Sequence, residues 1–285
     1  MLNAIGAIAG REFRALLLSL QGLGVWAIFG LTYALAVSQA QSFSVLAQFA
    51  TVERALSAMN ALDLFLVPFA GILLGYGAIA SELELGTASF LASKPIPRAS
   101  VVVGKFLGRT GYLAAVWAII TVGAMAWIGA IVGGMRANVG EATNPAAILG
   151  SLDGAVLYPI SLLALATSFL GIGLLVSALT RRTGAALSLG IAVYAGFGIA
   201  WNALFSVGQE PDVTTLTLKL LSPFVAWLEW SNRLLGQSAP WMQRLTDDGT
   251  TPLVARPEFY VLVLVMWLLG CVALAAWRFG RRDLA

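Results

Sequence analysis

The chain has no histidine and a single cysteine, and only 11% of its 285 residues are charged. Without histidine it lacks the commonest general base and the commonest metal ligand. A lone Cys271 excludes an intrachain disulfide and a thiolate cluster built from this chain alone. Its place in the last apolar run makes it a packing or lipid-facing residue. A phosphate loop is missing as well: Gly104-Lys105 runs into Phe106, with no glycine at the preceding spacing that such a loop needs. There is no H-E-x-x-H, no C-x-x-C and no pair of carboxylates inside an apolar run, and the six methionines (Met1, Met59, Met125, Met135, Met242, Met266) do not cluster. These absences argue against a catalytic centre, a bound cofactor and a copper or other metal site in this chain. If the chain moves anything uphill, the energy must come from another subunit.

What is abundant is apolar surface. The chain is 59% hydrophobic, with a mean hydropathy of +0.86, whereas soluble domains carry about 25% charged residues. A globule of this length cannot hide that much apolar surface from water, but a bilayer removes the problem. A spanning helix needs about 20 apolar residues. On that scale the chain reads as one all-α transmembrane domain over 1–285, with six spans near 22–40, 63–81, 110–133, 155–179, 184–207 and 259–278. The apolar run 101–133 is too long for one crossing, so the turns around Lys105 and Arg109 are expected on the cytoplasmic side.

Charge sets the orientation. With both termini inside, the inner segments hold eleven of the 17 basic residues and four of the 14 acids, a net +7 inside against −4 outside. Short inner loops carry the bias most clearly, as the positive-inside rule requires. The basic residues are spread over loops, so the net charge of +3 is a topology signal and does not point to nucleic acid.

Residues 1–20 do not read as a signal peptide, because Arg11 and Arg14 follow the apolar start instead of preceding it. Ile5, Ile8, Ala9, Phe13, Leu16, Leu17 and Leu20 recur at helical spacing, with Arg11, Glu12 and Arg14 opposite. This predicts an amphipathic helix lying in the inner membrane interface. On the other side, residues 41–62 predict a short helix before the second span. Residues 208–258, with Trp227, Trp230 and Trp241, predict an outer cap whose amphipathic helices sit in the interface favoured by indole rings.

The richest stretch is 82–109. Glu82 and Glu84 open a short helix whose positive N-terminus they suit. Leu83, Phe90 and Leu91 give it an apolar side, Pro95 and Pro97 stiffen the following turn, and Ser100 is placed to cap the next helix. Three small-residue pairs, Gly71/Gly75, Gly104/Gly108 and Gly129/Gly133, predict close helix approach in lipid, within the chain or between subunits.

This stretch carries a resemblance. An acid, Gly86-Thr87, an apolar helix, Ser93-Lys94-Pro95-Ile96-Pro97-Arg98 and then Gly104-Lys105-Phe106 resemble the loop between the second and third helices of ABC-2-type permeases, the membrane subunits of ATP-binding-cassette exporters. Arg11-Glu12-Phe13-Arg14 is similar to that family's N-terminal interfacial helix. Val67-Pro68, the 82–108 loop and Leu221-Ser222-Pro223 look most like the permease of nitrous-oxide-reductase maturation systems. The resemblance implies a cytoplasmic coupling helix over 82–93 that docks in a separate ATPase through Glu82, Glu84, Gly86, Thr87, Phe90, Leu91 and Ser93, with Pro95 and Arg98 following it. It also implies two permeases paired with two ATPases, which hold the ATP and magnesium, in a bacterial or archaeal cytoplasmic membrane. The roles it leaves open are export of a drug, lipid or peptide, copper or sulfur delivery for nitrous oxide reductase, and mechanical transmission to a periplasmic accessory protein without solute passage.

Overall fold

The computed structural model describes residues 2–41, 51–58, 60–87, 97–138, 140, 148–151, 153–201, 213–235 and 256–282. Among these there is no β-strand. In chain order the helices are α1 (Leu2–Leu17), α2 (Leu20–Gln41), α3 (Val52–Ser57), α4 (Asn60–Gly75), α5 (Ala80–Glu84), α6 (Arg98–Asn138), α7 (Tyr158–Leu179), α8 (Thr183–Ala195), α9 (Val213–Leu220), α10 (Pro223–Leu234) and α11 (Pro257–Gly280). A π turn, Asp153–Leu157, leads into α7, and another, Gly196–Ala200, extends α8.

Five helical stretches are long and apolar enough to cross a membrane: Leu20–Ser38, Leu62–Glu84, Arg98–Asn138, Asp153–Leu179 and Pro257–Gly280. The protein is therefore a multi-pass helical membrane protein. The helix at the expected fifth span, α8, is shorter. At about 1.5 Å per residue, the 41 residues of α6 reach roughly 60 Å, twice the roughly 30 Å of a hydrocarbon core. One end of α6 must therefore project beyond the lipid tails. Lys105 and Arg109 lie toward the start of α6 and Arg136 toward its finish.

The core is built around α7, which lies between α4 and α11 and buries residues on all its faces, among them Leu165, Ala166, Phe169, Leu170 and Leu174. Glycine makes the closest approach possible. A Cβ at Gly71 would run into the Ala166 carbonyl, and one at Gly75 would lie 2.7 Å from the Cα of Gly173. The Gly104/Gly108 pair seats α1 instead: a Cβ at Gly104 would be 2.9 Å from Ile8 Cβ, and one at Gly108 would meet the Ala9 carbonyl. Both pairs are thus used within the chain. Cys271 is buried beside Gly171, a packing residue.

The short helix expected before the second span is α3. Thr51 caps it by accepting from the Arg54 N–H at 3.1 Å. Two expectations need correction. Ser100 does not cap α6: the helix starts at Arg98, so Ser100 lies inside its first turn, buried. Trp227 does not sit in an interface. It is fully buried, tilted against Tyr158 at 6.1 Å, and its indole N–H donates to Ser161 at 2.9 Å.

Candidate functional site

The charged end of the bundle is held by four side chains from three helices. Lys105 and Arg109 lie one turn apart on α6 and are 3% and 6% exposed. Buried cations in an apolar bundle require partners. Glu12 of α1 supplies one oxygen to Lys105 at 2.6 Å and the other to Arg109 at 2.9–3.0 Å. Glu82 of α5 closes on Lys105 from the other side at 2.9 Å, and Arg109 donates to the Leu74 carbonyl at the end of α4.

This cluster corrects the sequence reading of α1. Arg11 and Arg14 are exposed, as expected, but Glu12 turns inward with Phe13, whose ring meets Tyr112 edge-on at 6.0 Å. Burial alone would raise the Glu12 carboxyl. Arg109 and Lys105 outweigh that and hold it below the ordinary carboxylate value. The sequence held a signal for this: a lone acid among apolar positions of α1, and two cations on the α6 stretch flanked by Gly104 and Gly108.

The acids at 82–84 do not open a new helix. They end α5, which continues the α4 line after a turn. Glu84 instead accepts the backbone N–H of Thr183 at 2.8 Å. Gly86 follows at φ +71°, a left-handed conformation that glycine adopts without strain, and Thr87 donates its hydroxyl to the Glu82 carbonyl at 3.3 Å. Phe90, Leu91, Ser93 and Pro95 lie outside the described residues. Beyond them, Arg98 donates to the Arg282 carbonyl at 2.6 Å, and Arg282 donates to the carbonyls of Ala178 and Thr180 at 2.8 and 3.0 Å.

At the opposite end, polar pairs invisible in the linear sequence come together. Tyr158 donates to Asp63 at 2.7 Å, Thr121 to the Tyr33 hydroxyl at 2.9 Å, and Asn60 to Asn232 at 3.2 Å. The last of these ties α10 to the start of α4. Trp230 is half-buried against the same packing, and Trp241 lies outside the described residues. A groove of about 440 Å³ is lined by Val193, Gly196, Phe197, Ala200 and Trp201. The Trp201 indole N–H is spent on the Lys219 carbonyl, so the groove presents apolar surface and no reactive group. No cluster of three His, Cys, Asp or Glu suited to a metal ion occurs among the described residues.

Two comparisons bear on this arrangement. A probable ABC transporter permease protein NosY of Pseudomonas aeruginosa is 27% identical over 248 residues, covering 83% of each chain. A protein of the same description from Stutzerimonas stutzeri is 34% identical over 61 residues, 21% of this chain and 22% of that one. The family described as ABC-2 family transporter protein matches residues 6–284, from the first turns of α1 past the end of α11. The chain belongs to the ABC-2 family of transporter membrane proteins.

Proposed function

We propose that the chain is the permease subunit of an ATP-binding-cassette transporter and takes its drive from a separate ATPase at the charged end. The observation that carries this reading is the cluster of Glu12, Glu82, Lys105 and Arg109, together with the family membership. Ion pairs there bind α1, α5 and the start of α6 into one rigid base, the kind of platform a force applied from outside the membrane needs. The chain itself has no nucleotide-binding signature.

In this reading α8, with its π turn and the residues after Trp201, completes a sixth crossing. Both termini then lie in the cytoplasm, and two copies of the chain pair with two ATPases in the cytoplasmic membrane. Residues 82–93 form the coupling segment. The likeness to NosY favours service to nitrous oxide reductase maturation, through transport or through mechanical transmission to a periplasmic protein.

Phe90→Asp tests the coupling assignment. Co-purification of the ATPase is expected to be lost while membrane insertion and the amount of chain are kept. Unchanged co-purification would remove residues 82–93 from the contact.

A further inference from the structure

Both flanks of the segment between Thr87 and Pro97 are tied to the same place, the turn that joins α7 to α8. On the leading side, Glu84 accepts the Thr183 N–H at 2.8 Å. Thr183 is the first residue of α8, and the residue before it, Arg182, makes no capping bond with its own side chain. Glu84 therefore supplies from another helix what a Ser or Asp at the cap position would supply locally, and its charge suits the positive end of α8. One turn earlier, the Ser177 hydroxyl near the end of α7 accepts the N–H groups of Ile79 and Ala80, each at 2.8 Å. Ala80, Val176 and Ala186 pack together between these bonds. On the trailing side, Arg98 donates to the Arg282 carbonyl, and the Arg282 guanidinium bridges the carbonyls of Ala178 and Thr180. These two carbonyls are among the acceptors that a helix C-terminus leaves open.

The helix on the far side of this turn is lightly buried near the turn and held at its far end, where Tyr194 donates to the Phe65 carbonyl at 2.9 Å. Among the residues of α8 only Ala186 and Gly190 are buried, and the helix passes into the π turn Gly196–Ala200. The helix on the near side, α7, is the most enclosed. A push delivered to both flanks therefore meets one neighbour enclosed along its length and one whose first turns are little buried and whose hold lies farther on, at Tyr194.

We infer that Glu84 and the Arg98–Arg282 pair are struts between the cytoplasmic segment and the α7–α8 turn, and that α8 is the helix they move. Glu84 is then a positioning residue whose carboxylate is spent inside the chain. This rests on the coupling reading above and adds to it the element that receives the force.

The test uses the tagged full-length chain, purified from its own host with its ATP-binding-cassette subunits and followed by hydrogen exchange. Glu84→Ala is expected to raise exchange of the Thr183–Ala186 amides at least roughly tenfold with the ATPase still bound, whereas Glu84→Gln, which keeps an acceptor oxygen, stays near wild type. In the wild-type complex, trapping with ATP and vanadate is expected to change exchange along α8. Glu84→Ala should abolish that change, and Arg282→Ala should weaken it. An unaltered ATP response in Glu84→Ala overturns the strut assignment. Loss of the ATPase from Glu84→Ala also overturns it, because Glu84 would then face the partner. If the wild-type chain brings down no ATP-binding-cassette subunit, the coupling reading itself fails and the inference falls with it.

Discussion

Trp227 donates its indole N–H to the Ser161 hydroxyl across 2.9 Å, with both side chains shut off from solvent. This contact fastens α10 to α7 and makes α10 part of the packed bundle. Around it stand Tyr158 with Asp63, and Asn60 with Asn232. The first prediction concerns this anchor. Trp227→Ala removes a completely buried indole and should cost about 3–5 kcal/mol. Trp227→Phe keeps most of the packing but leaves Ser161 without its donor, a loss of about 1–3 kcal/mol. Trp277 is 54% exposed on α11, and Trp277→Ala should change little. Thermal unfolding midpoints in detergent check the order, and equal losses at Trp227 and Trp277 would contradict it.

Long apolar helices were legible in the sequence because a run of about 20 apolar residues has one obvious home; five are long enough to cross, and the expected span 184–207 falls on the shorter α8. The excess length of α6 could be read for the same reason, since the apolar run 101–133 is too long for one crossing. The direction of Glu12 could not. Its neighbours Arg11 and Arg14 share the stretch and face outward, and only the close approach allowed by Gly104 and Gly108 brings Glu12 to two cations far along the chain. The burial of Trp227 was hidden because an amphipathic helix on a membrane surface and one packed on a bundle carry the same pattern. What differs is the partner, Ser161, which composition does not reveal. The acids at 82 and 84 looked like one feature, yet they bond different helices, Glu82 to α6 and Glu84 to α8.

Glycine contacts give the second prediction. Gly75→Ala places a methyl 2.7 Å from the Gly173 Cα, against backbone that cannot step aside, so α4 and α7 must separate. Overpacking of this kind costs typically about 1–3 kcal/mol. At Gly123 and Gly134 an added methyl would meet nothing within 4 Å, and Ala at either should be neutral or slightly stabilising through helix propensity. Thermal midpoints of the three variants measure the contrast directly. A tolerated Gly75→Ala would mean that the two helices are less tightly joined than described.

Orientation supplies the third prediction. Arg182 is exposed at the charged end of the bundle. Cysteine probes at Ser93 and Arg182 should react with a membrane-impermeant maleimide only from the cytoplasmic side, and probes at Asn144 and Asp247 only from outside. Cys271 is buried and should stay silent. A reversed pattern at two of the four positions would overturn the placement of both termini.

The last prediction follows from the Glu12 ion pairs. The Glu12 carboxyl is held below its ordinary value of 4.5 in the folded chain, because Arg109 and Lys105 outweigh the effect of burial. A group with a depressed folded value binds fewer protons folded than unfolded, so its contribution is present above the unfolded value. It is lost as pH falls from about 4.5 through the lower folded value. Stability from this source should therefore be flat from neutral pH down to about one unit above the unfolded value, and decline below. Glu12→Gln removes the charge but keeps the shape. At neutral pH it should lower stability by about 1–3 kcal/mol, the cost of leaving charged hydrogen-bond partners short of an acceptor. Lys105 retains Glu82 and Arg109 retains the Leu74 carbonyl, so the loss stays below that of an isolated buried cation. The wild-type and Glu12→Gln unfolding curves should converge once pH drops below the lowered folded value, where Glu12 is protonated in both the folded and the unfolded chain. Parallel curves across the whole range would show that the pairs on Glu12 contribute nothing to holding α1 on α6.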